Sequence, residues 1–232
     1  MTYGGMRWQR TFFVHWLVPA ELLTPGLPAG VTLDRWRGHA VASLVAFDVE
    51  GPAPQALLGS AVAPLFRYRQ LNLRTYVEGP DGPGMTLLHS RVDRLTYALG
   101  GRLAGMPYRL DRRLRFDVHA ASLELRARGL TVAGFFEPDG SATLQPGTLE
   151  YFAAERYRLY IAPPVGGTLS VAISHQPWRA RAVRLDQPLT PAALGLPSAA
   201  PVASAQLGDE VNVVVERVDV PDSAVGAELV PA

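Results

Sequence analysis

Short apolar runs, each a few residues long and broken by turn residues, repeat along most of the chain. The longest of these runs are Thr11–Val18, Gly38–Val49, Phe66–Glu78 and Met85–Val92. Their β-branched and aromatic residues predict strands. The stretch Gly79–Gly84 is built of glycine, proline and aspartate, which predicts a tight turn between the last two strands.

The second half of the chain continues the same pattern. We predict further strands at Tyr108–Asp117, Ser122–Arg128, Leu130–Phe136, Tyr157–Ala162, Leu169–His175, Ala180–Leu185 and Glu210–Val220. Helical signals are limited to Arg94–Leu103, to Leu149–Ala154 with Thr148 as its N-cap, and to single turns at Pro19–Leu23 and Pro191–Leu194.

Many strands with few covering helices must hide their edges, which favours a curved or closed sheet. No βαβ alternation and no linker between two halves is visible. We therefore predict a mainly β fold with minor α content. It is a single-domain antiparallel barrel over residues 1–220, followed by a flexible tail over residues 221–232.

The composition removes several kinds of chemistry. Of 232 residues, 48% are hydrophobic, which is enough apolar material for a folded core. All 22 basic residues are arginine, and the sequence contains no lysine and no cysteine. Lysine Schiff bases, the lysine of a phosphate loop, thiolate catalysis and disulfides are therefore excluded.

The charges and the N-terminal region set expectations for partners and location. A net charge of +1 with no basic run argues against nucleic-acid binding. The apolar stretch after Arg10 is interrupted by His15 and lacks a cleavage site of small residues. No apolar run reaches the roughly 20 residues of a membrane span. We expect a cytoplasmic protein without a membrane partner, and we leave open whether it is a homo-oligomer.

Metal and cofactor motifs are absent from the sequence. The five histidines are scattered without the spacing of a metal-binding pair. There is no phosphate loop and no nucleophile elbow. We therefore expect no cofactor and no metal site.

The strand over Leu71–Glu78 is the most informative for function. Asn72, Arg74 and Tyr76 alternate with apolar residues and so share one face. In an ordinary strand this is a solvated face. In a closed sheet, the amide, guanidinium and phenol line the interior and can hold a small anion. Both interpretations stay open from the sequence.

A second group of candidates lies later in the chain. Glu155 and Arg156 stand at a helix-to-strand junction, where they either clasp the helix to the sheet or serve a ligand site. His175 ends a strand with apolar neighbours in the same register. It is a satisfied residue at the core edge or, with Glu155, an acid–base candidate.

Five fragments, in order over roughly residues 8–215, resemble domain-of-unknown-function family 2071, a bacterial family of the acetoacetate decarboxylase-like superfamily. The fragments are His15-Trp16 with Leu27-Pro28-Ala29-Gly30, Asn72-Leu73-Arg74-Thr75-Tyr76-Val77, Met106-Pro107-Tyr108, Gly147-Thr148-Leu149-Glu150 through Glu155-Arg156-Tyr157, and His175-Gln176-Pro177-Trp178.

The resemblance implies a conical antiparallel β-barrel with a polar internal cavity and a few flanking helices. Acetoacetate decarboxylases carry a lysine pair, one member of which forms the Schiff base, at a position similar to Tyr108 and Arg109. The family tends to carry Glu where this chain has Gln70. We add Tyr108 and Arg109 to the candidate ligand-binding residues.

Two functions of different classes follow from these residues. The first is a small-molecule-binding barrel for an anionic or carbonyl metabolite. This class includes an enzyme that acts on its ligand without a Schiff base. Its ligand-binding residues would be Asn72, Arg74, Tyr76, Tyr108, Arg109 and Arg156, and its catalytic residues would be Glu155 and His175. The alternative is a non-catalytic ligand sensor that uses the same cavity.

Overall fold

The computed structural model describes residues 4–51, 66–164 and 166–219. Its strands are β1 (Gly4–Val18), β2 (Thr32–Leu33), β3 (Arg35–Trp36), β4 (His39–Glu50), β5 (Arg67–Gly79), β6 (Gly82–Val92), β7 (Tyr108–Leu110), β8 (Arg115–Val118), β9 (Ser122–Ala127), β10 (Leu130–Phe136), β11 (Ala142–Thr143), β12 (Arg158–Ile161), β13 (Leu169–Ser174), β14 (Arg179–Leu185), β15 (Val202–Gly208) and β16 (Val211–Asp219). The α-helices are α1 (Leu95–Leu103) and α2 (Leu149–Ala154), and short 3-10 turns occupy Ala20–Leu22, Thr24–Gly26 and Pro191–Leu194.

Seven strands close into a barrel in the order β1, β4, β5, β6, β12, β13, β16 and back to β1. Strands that alternate in direction around a ring must be even in number, so a ring of seven needs one parallel pair. That pair is β6 with β12, and the other six pairs are antiparallel. The mainly β, closed-barrel fold predicted from the sequence is confirmed.

A second sheet branches from β1 and covers one side of the barrel. The first half of β1, Gly4–Trp8, pairs with β16, whereas Thr11–Trp16 pairs with β15. Beyond β15 the order continues through β14, β10, β9 and β8. The change of partner coincides with a register shift against β4 and with a positive φ of 54° at Arg10.

Side-chain alternation along β1 separates two apolar cores. Phe13 belongs to the core inside the barrel. Phe12, Val14 and Trp16 belong to the core between the barrel wall and the second sheet. The strands β4 and β5 divide their residues in the same way, so both of their faces are covered and their polar residues become buried.

The helix α2 packs its C-terminal end into the barrel core, to which Ala153 and Ala154 belong. It begins where the sequence predicts, with Thr148 Oγ1 accepting a hydrogen bond from Tyr151 N at 3.2 Å. No helix in the described ranges is long and apolar enough to cross a membrane.

The predicted single strand over Tyr108–Asp117 is wrong, because the chain breaks into β7 and β8. Asp111 lies at the break, is 4% exposed, and accepts hydrogen bonds from the backbone N–H groups of Arg113 and Arg128. This buried carboxylate holds the turn between the two strands. The strand β15 was also not predicted, and the predicted tail over residues 221–232 lies outside the described residues.

Candidate functional site inside the barrel

The polar face of β5 lies inside the barrel. Asn72, Arg74 and Tyr76 are 5%, 4% and 0% exposed. On the opposite face of the strand, Leu71 and Leu73 pack towards the second sheet. The solvated-face interpretation of this strand is therefore wrong, because β5 is a central strand that is covered on both sides.

The strand register brings three polar residues side by side on the inner wall. His15 of β1 is directly opposite Ser43 of β4, and Ser43 is directly opposite Arg74 of β5. Side chains opposite one another on neighbouring strands are within contact distance. A polar row thus crosses three strands of the barrel interior.

Hydrogen bonds connect this row to Tyr76. His15 Nδ1 and Ser43 Oγ are 2.7 Å apart, and the Tyr76 hydroxyl donates to Ser43 Oγ at 2.8 Å. Arg74 Nε donates to the Tyr76 hydroxyl at 3.3 Å, and Arg74 Nη2 donates to the Ala153 carbonyl of α2 at 2.8 Å. We call His15, Ser43, Arg74 and Tyr76 the Arg74 cluster.

Only neutral groups contact the Arg74 guanidinium in the described part of the chain. Besides the bonds above, its Nη1 lies 3.2 Å from Met85 Sδ, and its Cζ lies 5.6 Å and 5.5 Å from the ring centroids of Phe13 and Tyr76. No carboxylate of the described residues lies within 4.0 Å of it. Aromatic faces and a carbonyl offset part of the cost of a buried cation.

His15 is neutral in this environment. Burial, and secondly the charge of Arg74, lowers the pKa of His15 to about 3. Its Nε2 is buried and has no hydrogen-bond partner among the described residues. The Arg74 cluster therefore combines a buried cation with an unpaired polar ring nitrogen.

A second polar group lies nearer the start of β5, before Arg74. Gln70 Nε2 and Ser90 Oγ donate to Asn72 Oδ1 at 2.8 Å and 2.6 Å. Tyr108 lies opposite Ser90, and burial raises its pKa to about 12 against opposing hydrogen bonds with Gln70 and Tyr68. Asn72 and Tyr108 therefore have protein partners within one network.

Arg156 has a structural partner. Its Nη1 is 2.7 Å from Asp34 Oδ2, and its Nε donates to the Phe152 carbonyl at 2.7 Å. Its guanidinium also lies 4.1 Å from the Phe152 ring centroid. These contacts tie the end of α2 to the segment between β2 and β3, as the clasp interpretation expects.

Glu155 and His175 both contact Tyr157 and Trp178, and neither of them contacts Arg74. Glu155 accepts hydrogen bonds from Trp178 N at 2.7 Å and from the Tyr157 hydroxyl. The His175 ring stacks on Tyr157 at 4.6 Å between centroids, and its Nδ1 is 2.8 Å from the Gln176 carbonyl oxygen. Burial and Glu155 raise the pKa of Tyr157.

Arg109 is exposed and lies on the outer side of the barrel wall, where it lines a cleft with His89 and Arg91. It follows Tyr108 on β7, and consecutive strand residues point to opposite faces. The structure thus groups Arg74 with Tyr76, places Asn72 and Tyr108 in the neighbouring network, and separates Arg109 from both.

Two members of the Arg74 cluster, His15 and Ser43, were not among the predicted site residues. A polar residue at the same parity as Phe13, within an apolar strand, was the available signal for His15. For Ser43 the sequence offers no comparable signal, because its importance comes from its register with two other strands. The described residues contain no group of three His, Asp or Glu side chains able to hold a metal.

Arg74 lines none of five clefts of about 210 to 570 Å³ that the described residues form, and protein atoms contact its guanidinium nitrogens. The Arg74 cluster is therefore packed among Phe13, Met85 and α2 in this conformation. A ligand that reached the guanidinium would displace some of these contacts, of which the Ala153 carbonyl is the shortest.

Comparison with solved structures relates this barrel to known enzymes. The enduracididine biosynthesis enzyme MppR complexed with pyruvate has a TM-score of 0.64 and 15% identity, over 94% of this chain and 90% of that one. An acetoacetate decarboxylase-like enzyme from Sphingomonas wittichii RW1 has a TM-score of 0.63 and 15% identity, over 93% and 92%. Acetoacetate decarboxylase from Legionella pneumophila has a TM-score of 0.59 and 14% identity, over 94% and 87%. At these identities the likeness concerns the fold.

Sequence comparison gives a nearer relationship. The uncharacterized protein YqjF of Bacillus subtilis (strain 168) is 29% identical over 160 residues, which are 66% of this chain and 65% of that protein. The chain thus spans just under two thirds of this relative's length. The model of domain-of-unknown-function family 2071, described as an uncharacterized conserved protein, matches residues 5–210. The chain, whose fold resembles that of an acetoacetate decarboxylase-like enzyme, therefore belongs to family 2071.

Proposed function

We propose that the protein binds a small carboxylate or other small anion inside its barrel, with Arg74 as the anion-binding residue and without a Schiff base. The observation that carries this proposal is the charge balance at Arg74. Arg74 is 4% exposed, and its guanidinium has neutral partners only among the described residues. A buried cation without a counter-ion costs several kcal/mol, and an anionic ligand would remove that cost.

The rest of the Arg74 cluster supports the same ligand class. Tyr76 supplies a hydroxyl beside the guanidinium, and the neutral imidazole of His15 supplies an unpaired Nε2. A carboxylate takes two parallel hydrogen bonds from a guanidinium. A carbonyl or hydroxyl next to that carboxylate would suit the remaining polar groups.

The structural neighbours provide a probe for the experiment. MppR has been solved with pyruvate, which is a small 2-oxo acid. Acetoacetate, from which acetoacetate decarboxylase takes its name, is also a small oxo acid. In this chain the sequence has no lysine, so any oxo acid would be held by hydrogen bonds and charge and not by an imine.

A non-catalytic ligand sensor is the second candidate, and one observation favours it. Glu155 is engaged by Trp178 and Tyr157, and His175 is stacked on Tyr157. Neither acid–base candidate has a hydrogen bond or ion pair with Arg74. Incubation with pyruvate, acetoacetate or oxaloacetate, followed by proton NMR, separates the two candidates. Turnover that is lost in Glu155→Gln supports the enzyme, and bound but unchanged ligand supports the sensor.

Thermal unfolding with a panel of anions tests the binding proposal. We expect pyruvate or another panel member to raise the Tm of the wild type, because a ligand that binds only the folded state stabilises it. The panel contains pyruvate, acetoacetate, acetate and inorganic phosphate. Arg74→Met should abolish the shift, because the anion then loses its only buried cation in the Arg74 cluster.

Two other arginines serve as matched controls. Arg109→Gln removes an exposed cation outside the barrel, and Arg156→Met removes a buried cation that already has Asp34 as its partner. Both variants should keep the shift measured relative to their own Tm. If the panel stabilises Arg74→Met as much as the wild type, or stabilises neither protein, the proposal is wrong.

A further inference from the structure

A cleft of about 290 Å³ lies on the outer side of the barrel wall, away from the Arg74 cluster. The 3-10 turn Pro191–Leu194 covers β5, β6 and β7 at this point. Three leucines, Leu71, Leu73 and Leu194, line the cleft with buried side chains. Its polar lining residues are His89, Ser90, Arg91 and Arg109, and none of the described residues that line it is a carboxylate. The cleft therefore has an apolar floor and a cationic rim.

The two arginines of the rim differ in whether their charge already has a partner in the protein. Arg91 Nη1 donates to the Arg128 carbonyl at 2.6 Å and lies 3.4 Å from Asp111 Oδ2, so its position and charge are both accounted for. Arg109 is exposed and has no hydrogen bond or carboxylate partner in the described part of the chain. Its charge is available to a ligand.

His89 completes the rim from β6. It is partly buried, and its ring has no hydrogen-bond partner among the described residues. Its charged neighbours are Arg91 on its own strand and Arg109 on β7, whereas β5 and the turn contribute leucines, Ala193 and Gly195. Burial, and secondly the charges of Arg109 and Arg91, lowers the pKa of His89.

We propose that this cleft is a second ligand site, which takes a small amphipathic anion with its short hydrocarbon chain on the leucines and its anionic head between Arg109 and His89. Ligand pockets commonly have volumes of about 300–1,000 Å³, so this cleft suits a ligand at the small end of that range. The leucines alone would accept any apolar group. The free guanidinium selects a molecule with a negative head.

This site is independent of the function proposed for the barrel interior. The leucines of its floor alternate along β5 with Asn72 and Arg74, so the two sites lie on opposite faces of one strand. A ligand at one site does not touch the other. Binding here can therefore fail while binding at Arg74 succeeds, and the reverse also holds.

Isothermal titration calorimetry with hexanoate tests the proposal, with hexanol and acetate as probes for the chain alone and the head alone. We expect hexanoate to bind the wild type more tightly than either probe. Arg109→Gln should weaken hexanoate binding at least about tenfold, because it removes the free cation. Ala193→Glu should abolish binding, because its carboxylate would occupy the rim.

One variant controls for general loss of charge. Arg184→Gln removes an exposed arginine on β14 and should bind hexanoate like the wild type. In Arg74→Met any hexanoate held by the interior cation is lost, and the binding that depends on Arg109 should remain. The proposal is overturned if hexanoate does not bind the wild type, if hexanol binds equally well, or if Arg109→Gln and Ala193→Glu bind normally. Loss of all hexanoate binding in Arg74→Met would move the ligand to the interior and also overturn it.

A histidine titration by proton NMR locates the head group without relying on affinity. The chain has five histidines, and the His89 resonance is assigned from its disappearance in His89→Gln. An anion between Arg109 and His89 favours the charged imidazole, so hexanoate should raise the pKa of His89. An unchanged His89 pKa at saturating hexanoate would contradict the proposed position.

Discussion

Arg74 is held inside the barrel by a carbonyl, a hydroxyl, a thioether and two aromatic rings. Removing such a cation deletes hydrogen bonds that contribute stability, and it also deletes the cost of burying an unpaired charge. We expect these effects to offset each other. Arg74→Met should change the free energy of unfolding by less than about 2 kcal/mol, measured by urea denaturation without ligand.

A larger loss would show a different role for this arginine. Removing one partner of a buried ion pair costs about 3–5 kcal/mol, because the other charge stays buried and alone. A loss of that size in Arg74→Met would reveal a carboxylate that already neutralises Arg74. The need for an anionic ligand would then disappear.

His15 makes the stability of the protein depend on pH. The pKa of His15 is about 3 in the folded protein and near 6.5 when the chain is unfolded. As the pH falls below 6.5, the unfolded chain takes up a proton that the folded protein refuses. The stabilisation by neutral His15 is therefore complete above pH 6.5 and is lost progressively down to about pH 3.

Urea denaturation at pH 7 and pH 5 measures this effect. The contribution of His15 to the change amounts to roughly 2 kcal/mol over this interval, since one pKa unit corresponds to about 1.4 kcal/mol. His15→Gln keeps a polar group beside Ser43 but cannot titrate, so its stability should fall less over the same interval. An equal fall in both proteins would contradict a neutral, buried His15.

At the scale of single residues, the sequence predicted that Asn72, Arg74 and Tyr76 share one face of a strand, because successive side chains of a strand point to opposite faces. It could not predict that His15 and Ser43 join Arg74. Those residues come from strands separated by up to 59 positions, and only the register of three paired strands brings them together. Hydrophobic pattern fixes which face is buried but leaves register between distant strands open.

At the scale of elements, the Arg156–Asp34 ion pair fastens α2 and the start of β12 to the edge strands β2 and β3. Arg156→Met should lower the free energy of unfolding by about 3 kcal/mol, because it leaves Asp34 without its cation. We place the effect at the low end of the range for buried pairs, since the Asp34 side chain is 19% exposed.

A double-mutant cycle with Asp34→Asn checks that the pair itself is responsible. The double variant should lose less stability than the sum of the two single variants, because each single change leaves one charge unpaired. Strict additivity would mean that Arg156 stabilises the helix only through Phe152. In either case Arg156→Met should cost more stability than Arg74→Met, although both arginines are buried.

The elements themselves were largely predictable where the pattern is local. The start of α2 follows from Thr148, whose hydroxyl satisfies a free N–H of the first turn. The break between β7 and β8 was not predicted, because the apolar alternation resumes at Leu114 and Phe116 after a single interruption at Arg112. The turn depends on Asp111, whose partners include Arg128 N, 17 positions away.

At the scale of the whole molecule, the closed barrel places a polar row in its interior. Strand count and turn residues were sufficient to predict closure. They did not indicate the number of strands in the ring or its single parallel pair. That pair joins β6 to β12, which are separated along the chain by two helices and the five strands β7 to β11, so its formation depends on long-range packing.

The absence of lysine leads to a chemical prediction for the folded barrel. We expect that acetoacetate or pyruvate followed by borohydride leaves no reduced adduct at any internal residue, because the sequence offers no side-chain amine. Peptide mapping by mass spectrometry makes the measurement, and a lysine-dependent acetoacetate decarboxylase is the positive control. A stable internal adduct would contradict non-covalent binding.

A crystal structure of the protein with pyruvate tests the central claim most directly. The account predicts pyruvate inside the barrel with a carboxylate oxygen within about 2.7–3.0 Å of an Arg74 guanidinium nitrogen, and without a covalent bond to the protein. The same soak of Arg74→Met should show no pyruvate there. If pyruvate at saturating concentration leaves Arg74 bound to the Ala153 carbonyl, with the interior as packed as before, Arg74 is a structural residue and the anion-binding account is wrong.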